Sequence, residues 1–279
     1  MTRRRFYAPP EAFESDLRSV SLEVEEARHL REVLRLKPGD HVYVFDGDGK
    51  EFQCSVESAR RDVAQLSVLA EVSPARPESP LQLTLAVALL KSDKFDLVVQ
   101  KTTELGVARV VPVMTKLADI RLRDDSDVEK RLTRWRRIAL EAAKQSGRAV
   151  VPEIVAPISF ADLISGYISA EESGVMFTER EGASLESVTQ SVVANVRTIT
   201  ALVGSEGGWA DSELAEAKAA GWHLVTLGGR TLRAETAAIV IAARILPAGA
   251  IVQVRAETLA VSSPPAVHSR LSTLCVLIC

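Results

Sequence analysis

The chain has 279 residues, of which 47% are hydrophobic and 25% are charged. This composition is typical of a globular protein with one large domain or two ordinary ones. The 34 basic and 37 acidic residues give a net charge of -3, which excludes a uniformly basic nucleic-acid coat and allows a local basic patch. The cysteines lack metal-ligand spacing, the arginine-rich start lacks an apolar run, and no apolar stretch approaches the ~18 residues of a membrane helix. We therefore expect a soluble cytoplasmic protein that binds no metal and no membrane.

Residues 1–73 predict a small β-rich domain with one helix. Apolar residues at helical spacing predict the helix over 21–35, and the patterns that follow predict strands at 41–45, 51–56 and about 64–72. The segment Asp46–Gly49 predicts a hairpin turn between the first two of these strands. Three prolines between Ser73 and Pro80 predict a linker over 74–80, because proline interrupts regular structure.

Residues 81–246 predict a second domain of a different class. Its strands, expected at 81–90, 107–113, 173–177, 198–203 and 223–227, alternate with helices expected at 93–105, 127–146, 211–220 and 234–246. This alternation predicts a mostly parallel sheet with helices on both faces. Such sheets bind ligands at the carboxyl ends of their strands. The tail 247–279 fits neither domain.

Two glycine-rich segments follow predicted strands and precede predicted helices. The first is Leu202–Trp209, with three glycines in five residues, and the second is Leu227–Ala237. Glycines at strand ends let the backbone approach a ligand and expose its N–H groups. The spacing matches neither the dinucleotide fingerprint nor the Walker loop, so ordinary nucleotide sites are disfavoured. Two such turns at successive strand ends predict one cleft built mainly of backbone.

Basic residues form two clusters. Lys130, Arg134, Arg137 and Lys144 share one helical stripe, and a second cluster consists of Arg3, Arg4, Arg5, Arg28, Arg31, Arg35 and Lys37. An ordinary solvated helix face is the simpler interpretation of a charge run. Phosphate contacts are the alternative, because they need clustered cations and no overall positive charge.

Several separated motifs resemble the RsmE family of small-subunit ribosomal RNA methyltransferases, which make N3-methyluridine from S-adenosylmethionine. They are the two glycine segments, Gln100–Val107, Gln145–Arg148 with Val151 and Pro152, and His29–Asp40. The resemblance runs from about residue 3 to residue 246, and the order of the motifs makes it specific. The chain departs from the family pattern at Ser205, where proline is usual, and in the tail 247–279, which has no counterpart.

The resemblance implies a SPOUT fold, an α/β sheet with a trefoil knot, preceded by a PUA-like barrel that binds RNA. It also implies a homodimer formed through the knotted domain. The expected S-adenosylmethionine-binding residues are Thr178, Glu179, Leu202, Gly204, Glu206, Gly207, Leu227, Gly228, Leu232 and Ala237. The expected RNA-binding residues are Arg3, Arg4, Arg28, Arg31, Arg35, Lys130, Arg134 and Arg137.

The implied reaction is attack of the uridine N3 nitrogen on a sulfonium methyl group. Because N3 carries a weakly acidic proton, the reaction needs deprotonation or stabilisation of the anion. Arg233 is the candidate stabiliser of that anion, and Glu206 is a weaker candidate as base or positioning group. A ribose 2′-O-methyltransferase of the same fold and a non-catalytic RNA-binding assembly factor are the alternatives. The substrate is either free small-subunit ribosomal RNA or the assembled small subunit.

Overall fold

The computed structural model describes residues 3–91, 93–166, 172–191 and 196–246. Two β-sheets account for the architecture, one in the first 72 residues and one after residue 81. The tail 247–279, which the sequence pattern sets apart, lies outside the described residues. Within the described part of the chain, no helix has the length and apolar character needed to cross a bilayer.

The N-terminal sheet has five strands in the order β1-β3-β4-β5-β2, in which β1 is parallel to β3 and the other neighbours are antiparallel. The strands are β1 Arg5–Tyr7, β2 Ser19–Leu22, β3 His41–Phe45, β4 Glu51–Ala59 and β5 Ala64–Val72. A helix, α1 Val24–Arg28, continues into a π-helical turn at His29–Val33. The predicted helix over 21–35 therefore starts too early, because Ser21 and Leu22 pair with β5. The predicted strands at 41–45 and 64–72 are confirmed.

Among the described residues, the C-terminal sheet has eight parallel strands, seven of them in the order β11-β13-β10-β12-β6-β7-β8, with β9 pairing β7. They are β6 Gln82–Ala88, β7 Arg109–Met114, β8 Glu153–Ile154, β9 Ile158–Ser159, β10 Glu172–Phe177, β11 Ala183–Ser184, β12 Thr198–Val203 and β13 His223–Thr226. The helices are α2 Asp93–Leu105, α3 Asp125–Ser146, α4 Phe160–Gly166, α5 Leu185–Ser191, α6 Asp211–Ala219 and α7 Ala234–Ile245. The predicted parallel sheet is confirmed.

Helices cover both faces of the C-terminal sheet. On one face, α2, α3, α5 and α7 bury Phe95, Trp135, Val188 and Ile241 in a common core. On the other face, α4 and α6 contribute to a second core around Trp209. Successive residues of a strand point to opposite faces, so β12 sends Ala201 and Val203 into the first core and Leu202 into the second. This covering of both faces explains why the strands read as nearly continuous apolar runs.

The two sheets are joined by polar contacts around the end of α3. Arg5 Nη2 donates to the carbonyl of Arg148 at 2.8 Å, and Lys144 Nζ donates to Glu26 Oε1 at 2.5 Å. Arg148 is buried and donates to Glu78 in the proline-rich segment at 2.7 Å. The motif residue Arg148 and the stripe residue Lys144 therefore both hold the two regions together. The proposed domain boundaries at 73 and 81 lie close to this joint and stay a prediction.

Candidate active site

Three loops meet at the carboxyl ends of three neighbouring strands. In sheet order β13, β10 and β12 are adjacent, and they are followed by loops 227–233, 178–182 and 204–210. Parallel strands end at the same edge of a sheet, so the residues after them lie together. The loop 204–210 is fixed to the end of β10 by Trp209, whose Nε1 donates to the carbonyl of Phe177 at 2.8 Å. These loops form the cleft that the two glycine-rich segments predict.

The loops enclose a cavity of about 570 Å³, a volume within the usual range of small-molecule sites. Most of the residues expected to bind cofactor line this cavity, together with the two expected catalytic residues. They are Thr178, Glu179, Gly204, Glu206, Leu227, Gly228, Leu232, Arg233 and Ala237. The structure thus brings together residues from segments more than fifty positions apart.

Two expected cofactor residues do not line the cavity. The side chain of Leu202 is fully buried in the core beneath α4 and α6, on the face of β12 opposite to Val203. Gly207 lies against the backbone of Leu117, and an added Cβ at Gly207 would lie 2.7 Å from the carbonyl oxygen of Leu117. The chain itself therefore requires glycine at 207. A ligand is not needed to explain this residue.

Gly228 and Gly229 supply open backbone on one wall. Both have positive φ angles, 68° and 73°, and an added Cβ at either position would meet no atom within 4 Å. Positive φ favours glycine because a side chain there is strained. Both residues line the cavity and are exposed, so the space beside their backbone is open to a ligand.

Some cavity residues were not predicted from the sequence. Ser205 lines the cavity, and its buried Oγ has no hydrogen-bond partner among the described residues. Trp209 and Ile241 also line it. Ser205 departs from the family pattern, in which proline is usual, and this departure is the signal that the sequence carries. A buried hydroxyl without a partner is free to bind a ligand atom.

A charged cluster lies beside the cavity. Lys94 Nζ, from the start of α2, donates to Glu206 Oε1 at 2.6 Å and lies 3.9 Å from Glu235 Oε2. Partial burial acts to raise the pKa of Glu206, but the hydrogen bond and charge of Lys94 outweigh it, and the pKa lies below its ordinary value. The same hydrogen bond raises the pKa of Lys94. Both groups are therefore charged at neutral pH.

Arg233 lies between the cavity and a neighbouring groove. It precedes α7 as the N-cap residue, is exposed, and lines both spaces. Across the described ranges, the guanidinium of Arg233 makes no hydrogen bond or ion pair. It therefore does not stabilise the loop 227–233 by hydrogen bonds to backbone carbonyls. The groove, of about 1140 Å³, lies between α2, α3 and the start of α7. Its charged residues are Glu25, Asp93, Lys94, Asp96, Glu104, Arg137, Glu141, Arg233 and Glu235.

The expected RNA-binding residues fall into two groups. Arg4, Arg35, Lys130 and Arg137 are exposed, and in the described part of the chain no carboxylate pairs with any of them. The remaining four each contact a carboxylate: Arg3 contacts Glu51, Arg28 and Arg31 contact Glu32, and Arg134 contacts Asp96. Only the first group offers unpaired cations.

No cluster of potential metal ligands occurs in the described ranges.

Comparison with known proteins places these features in a family. A model described as "RNA methyltransferase domain" matches residues 77–246, and one described as "RNA methyltransferase PUA domain" matches residues 22–69. The ribosomal RNA small subunit methyltransferase E of Synechocystis is 32% identical over 88% of this chain and 77% of that protein. The Bacillus subtilis protein of the same name is 30% identical over 78% of this chain and 85% of that protein.

A solved structure agrees with these relatives. The crystal structure of a ribosomal RNA small subunit methyltransferase E from Neisseria gonorrhoeae, bound to S-adenosyl methionine, superposes with a TM-score of 0.76. It is 32% identical, and the match covers 87% of this chain and 96% of that chain. The expected fold class is confirmed, with a SPOUT-type α/β region after a PUA-like region.

The sheet, the glycine-walled cavity and the matching models together define an RNA methyltransferase. Within that class, the chain belongs to the ribosomal RNA small subunit methyltransferase E family. The sequence-based recognition of the family is confirmed.

Proposed function

We propose that this chain transfers a methyl group from S-adenosylmethionine to N3 of a uridine in small-subunit ribosomal RNA. The observation that carries the proposal is the cavity at the ends of β10, β12 and β13, in a chain whose relatives are named for methylation of small-subunit ribosomal RNA. The solved relative from Neisseria gonorrhoeae binds S-adenosyl methionine. The N3 position rests on the family resemblance of the motifs.

The cavity residues fit this cofactor. Leu227, Leu232, Ala237 and Ile241 give an apolar side suited to an adenine ring, and the backbone at Gly228 and Gly229 is open to close approach. The buried Ser205 Oγ offers an unused hydrogen-bonding group. S-adenosylmethionine supplies a methyl group on a positively charged sulfur, which leaves as a neutral thioether. The residues of the chain bind the cofactor and the uridine, orient them relative to each other and accept the N3 proton of the uridine.

Arg233 is the residue we assign to stabilising the uracil anion. It lies at the boundary of cavity and groove with an unpaired guanidinium, so its charge is available to a ligand. The negative charge of uracil is fully developed only as N3 loses its proton, and a cation fixed beforehand favours that state over the ground state. Glu206 is held by Lys94, which favours the positioning role over that of a base.

The RNA is expected to lie across both regions of the chain. Arg4 and Arg35 belong to the N-terminal region, whereas Lys130 and Arg137 lie on α3. We propose that these exposed cations contact phosphates. We further propose that the protein acts as a homodimer in the cytoplasm, on either free ribosomal RNA or the assembled small subunit.

The test uses the purified full chain with S-adenosylmethionine and small-subunit ribosomal RNA from a strain that lacks the corresponding gene. Mass spectrometry of the nucleosides should show N3-methyluridine, and assembled small subunits should be assayed in parallel. Formation of 2′-O-methyluridine would support the ribose methyltransferase alternative. Absence of both product and saturable cofactor binding by calorimetry would support the assembly-factor alternative.

A further inference from the structure

Among the carboxylates that line the cavity and the groove, Glu206 and Glu235 both lie near Lys94, and their surroundings differ. Glu206 lines the cavity, and its Oε1 accepts a hydrogen bond from Lys94 Nζ at 2.6 Å. A carboxylate engaged by an ammonium group is a weak proton acceptor, because protonation would break that ion pair. Glu206 is therefore poorly suited to remove a proton from the substrate.

Glu235 differs from Glu206 in that Lys94 donates no hydrogen bond to it. It is the second residue of α7, it is only 8% exposed, and it lines the groove beside the cavity. Its Oε2 is buried, and no donor among the described residues reaches it within hydrogen-bond distance. Lys94 Nζ, at 3.9 Å, forms a long ion pair with this oxygen and is too far away for a hydrogen bond. A buried acceptor without a donor is uncommon in proteins, so Glu235 Oε2 is free to accept from a ligand.

The charges around Glu235 match the edge of a uracil base. Uracil presents one donor, N3–H, between two carbonyl acceptors, whereas cytosine presents an acceptor at N3. Glu235 offers an acceptor, and the cations Lys94 and Arg233 line the same groove. The other charged groups that line this groove are Asp93, Asp96 and Glu104 of α2, Arg137 and Glu141 of α3, and Glu25 of α1. A donor, acceptor and donor arrangement selects uridine over cytidine by hydrogen bonding.

We propose that Glu235 accepts the N3–H of the target uracil and takes its proton, and that Lys94 and Arg233 face the two carbonyl oxygens. This inference rests on the proposed function and names the group that does the proton transfer. The proton passes from N3 to the Glu235 carboxylate and then to solvent. The N3 electron pair forms the bond to the methyl carbon, and the carbon–sulfur bond breaks with its electron pair left on sulfur.

The decisive experiment measures single-turnover methylation by wild type and by Glu235→Gln from pH 7 to pH 9. Small subunits that lack the methyl group are the substrate, at saturating S-adenosylmethionine. The variant should be about 100-fold slower at pH 7, the usual scale for loss of a general base. Its rate should rise about tenfold per pH unit, because uridine then ionises without help, while the wild-type rate stays nearly constant. A merely structural role would not alter the pH profile.

Two matched variants act as controls. Glu186 is the second residue of α5, as Glu235 is of α7, and it is exposed and lines neither space, so Glu186→Gln should keep the wild-type rate. Glu206→Gln should slow the reaction less than Glu235→Gln and keep the wild-type pH profile. If instead Glu206→Gln shows the steep pH dependence, Glu206 is the base and the proposal is wrong.

A binding measurement tests the same contact without turnover. With S-adenosylhomocysteine present, wild type should bind unmethylated subunits more tightly than methylated ones, since the methyl group removes the N3–H donor. Glu235→Ala should lose this preference while its cofactor affinity, measured by calorimetry, stays unchanged. If Glu235→Gln does not fold, Glu235→Asp should be slower with the wild-type pH profile.

A preference retained in Glu235→Ala would overturn the proposal, as would a Glu235→Gln rate near that of wild type. A wild-type protein that makes no N3-methyluridine would instead overturn the proposed function itself.

Discussion

The cavity and the groove are adjacent, but different kinds of residue line them. Glycine backbone and apolar side chains, from Gly204, Gly228, Gly229, Leu227 and Ile241, form part of the cavity wall, and Glu179, Glu206 and Arg230 line it as well. The groove wall is dominated by charged side chains on the helices α2, α3 and α7. Arg233 belongs to both.

This difference implies a division of labour. A backbone wall recognises a ligand by shape and by N–H and C=O groups, so changes there should alter cofactor affinity. Fixed charges act on a charge that develops during reaction, so changes there should alter the rate. The following predictions test that separation.

The largest effect is expected at Arg233. Arg233→Ala should lower the single-turnover methylation rate by about 100-fold or more, the scale for loss of one electrostatic stabiliser. Arg233→Lys should recover little, because an ammonium group cannot reproduce bidentate contacts. Cofactor affinity by calorimetry should stay unchanged in both variants, since the guanidinium acts on the uracil.

The control for Arg233 is Arg244→Ala in the last turn of α7, an exposed arginine that lines neither space. It should methylate at the wild-type rate. An Arg233→Ala protein with early thermal melting and weakened cofactor binding would show that Arg233 is structural, against the geometry described above.

A smaller effect, on affinity, is expected at Gly228. Gly228→Ala places a methyl group in cavity space and should weaken S-adenosylmethionine binding about tenfold by calorimetry. Gly221→Ala is the matched control, because Gly221 also has a positive φ, 83°, with no atom near an added Cβ, and does not line the cavity. Equal losses of affinity in the two variants would attribute the effect to backbone strain alone.

Gly207 does not provide this test, although the sequence suggested it. If Gly207 contacted the cofactor, Gly207→Val would abolish cofactor binding in a folded protein. The structure shows that a Cβ at 207 would lie 2.7 Å from the carbonyl of Leu117. The substitution would therefore disturb the loop whether or not a ligand binds there.

RNA binding should depend on the unpaired cations more than on the paired ones. Removal of Lys130 and Arg137 together should lower RNA affinity and reduce the log–log salt slope by about two units if both contact duplex phosphates. Arg134→Ala should change the slope less, because Arg134 already contacts Asp96. Filter binding over a salt series measures both. An unaltered slope in the double variant would identify the stripe as a solvated helix face.

The smallest effect is expected from Lys94→Met on stability. The pKa of Glu206 lies below its ordinary value, so the Lys94–Glu206 pair stabilises the fold above the ordinary glutamate pKa, and this stabilisation is lost as pH falls. Both side chains are about one-third exposed, so the Tm at pH 7 should fall by no more than about 3 °C. The deficit should vanish near pH 3. A Tm deficit that persists there would point to lost packing.

Much of the fold could be predicted from local patterns. Five strands of the C-terminal sheet, β6, β7, β10, β12 and β13, and the helices α2, α3, α6 and α7 follow from apolar patterns, such as the helix that ends before Gly147. Strands β8, β9 and β11 and helices α4 and α5 were not predicted, because segments of two to seven residues carry too little periodicity. The short strands β1 and β2 could not be predicted for the same reason. Their pairing with β3 and β5 depends on contacts distant in sequence.

The sequence predicts which loops form the site, but it does not predict which side chains of those loops point into the cavity. Leu202 and Val203 are neighbours in one strand, yet of the two only Val203 reaches the cavity, because successive side chains of β12 point to opposite faces. The Lys94–Glu206 contact joins residues 112 positions apart, and no local pattern signals it. The buried, unpaired oxygen of Glu235 likewise becomes visible only when its neighbours are placed.

The separation of affinity from rate is tested most directly by one paired measurement on Arg233→Ala and Gly228→Ala. The dissociation constant of S-adenosylmethionine and the single-turnover rate at saturating cofactor are determined on the same preparations. We predict that Arg233→Ala loses rate with an unchanged dissociation constant, and that Gly228→Ala loses affinity with a nearly normal rate. If both variants lose rate and affinity in equal proportion, the cavity and the groove do not have separate roles.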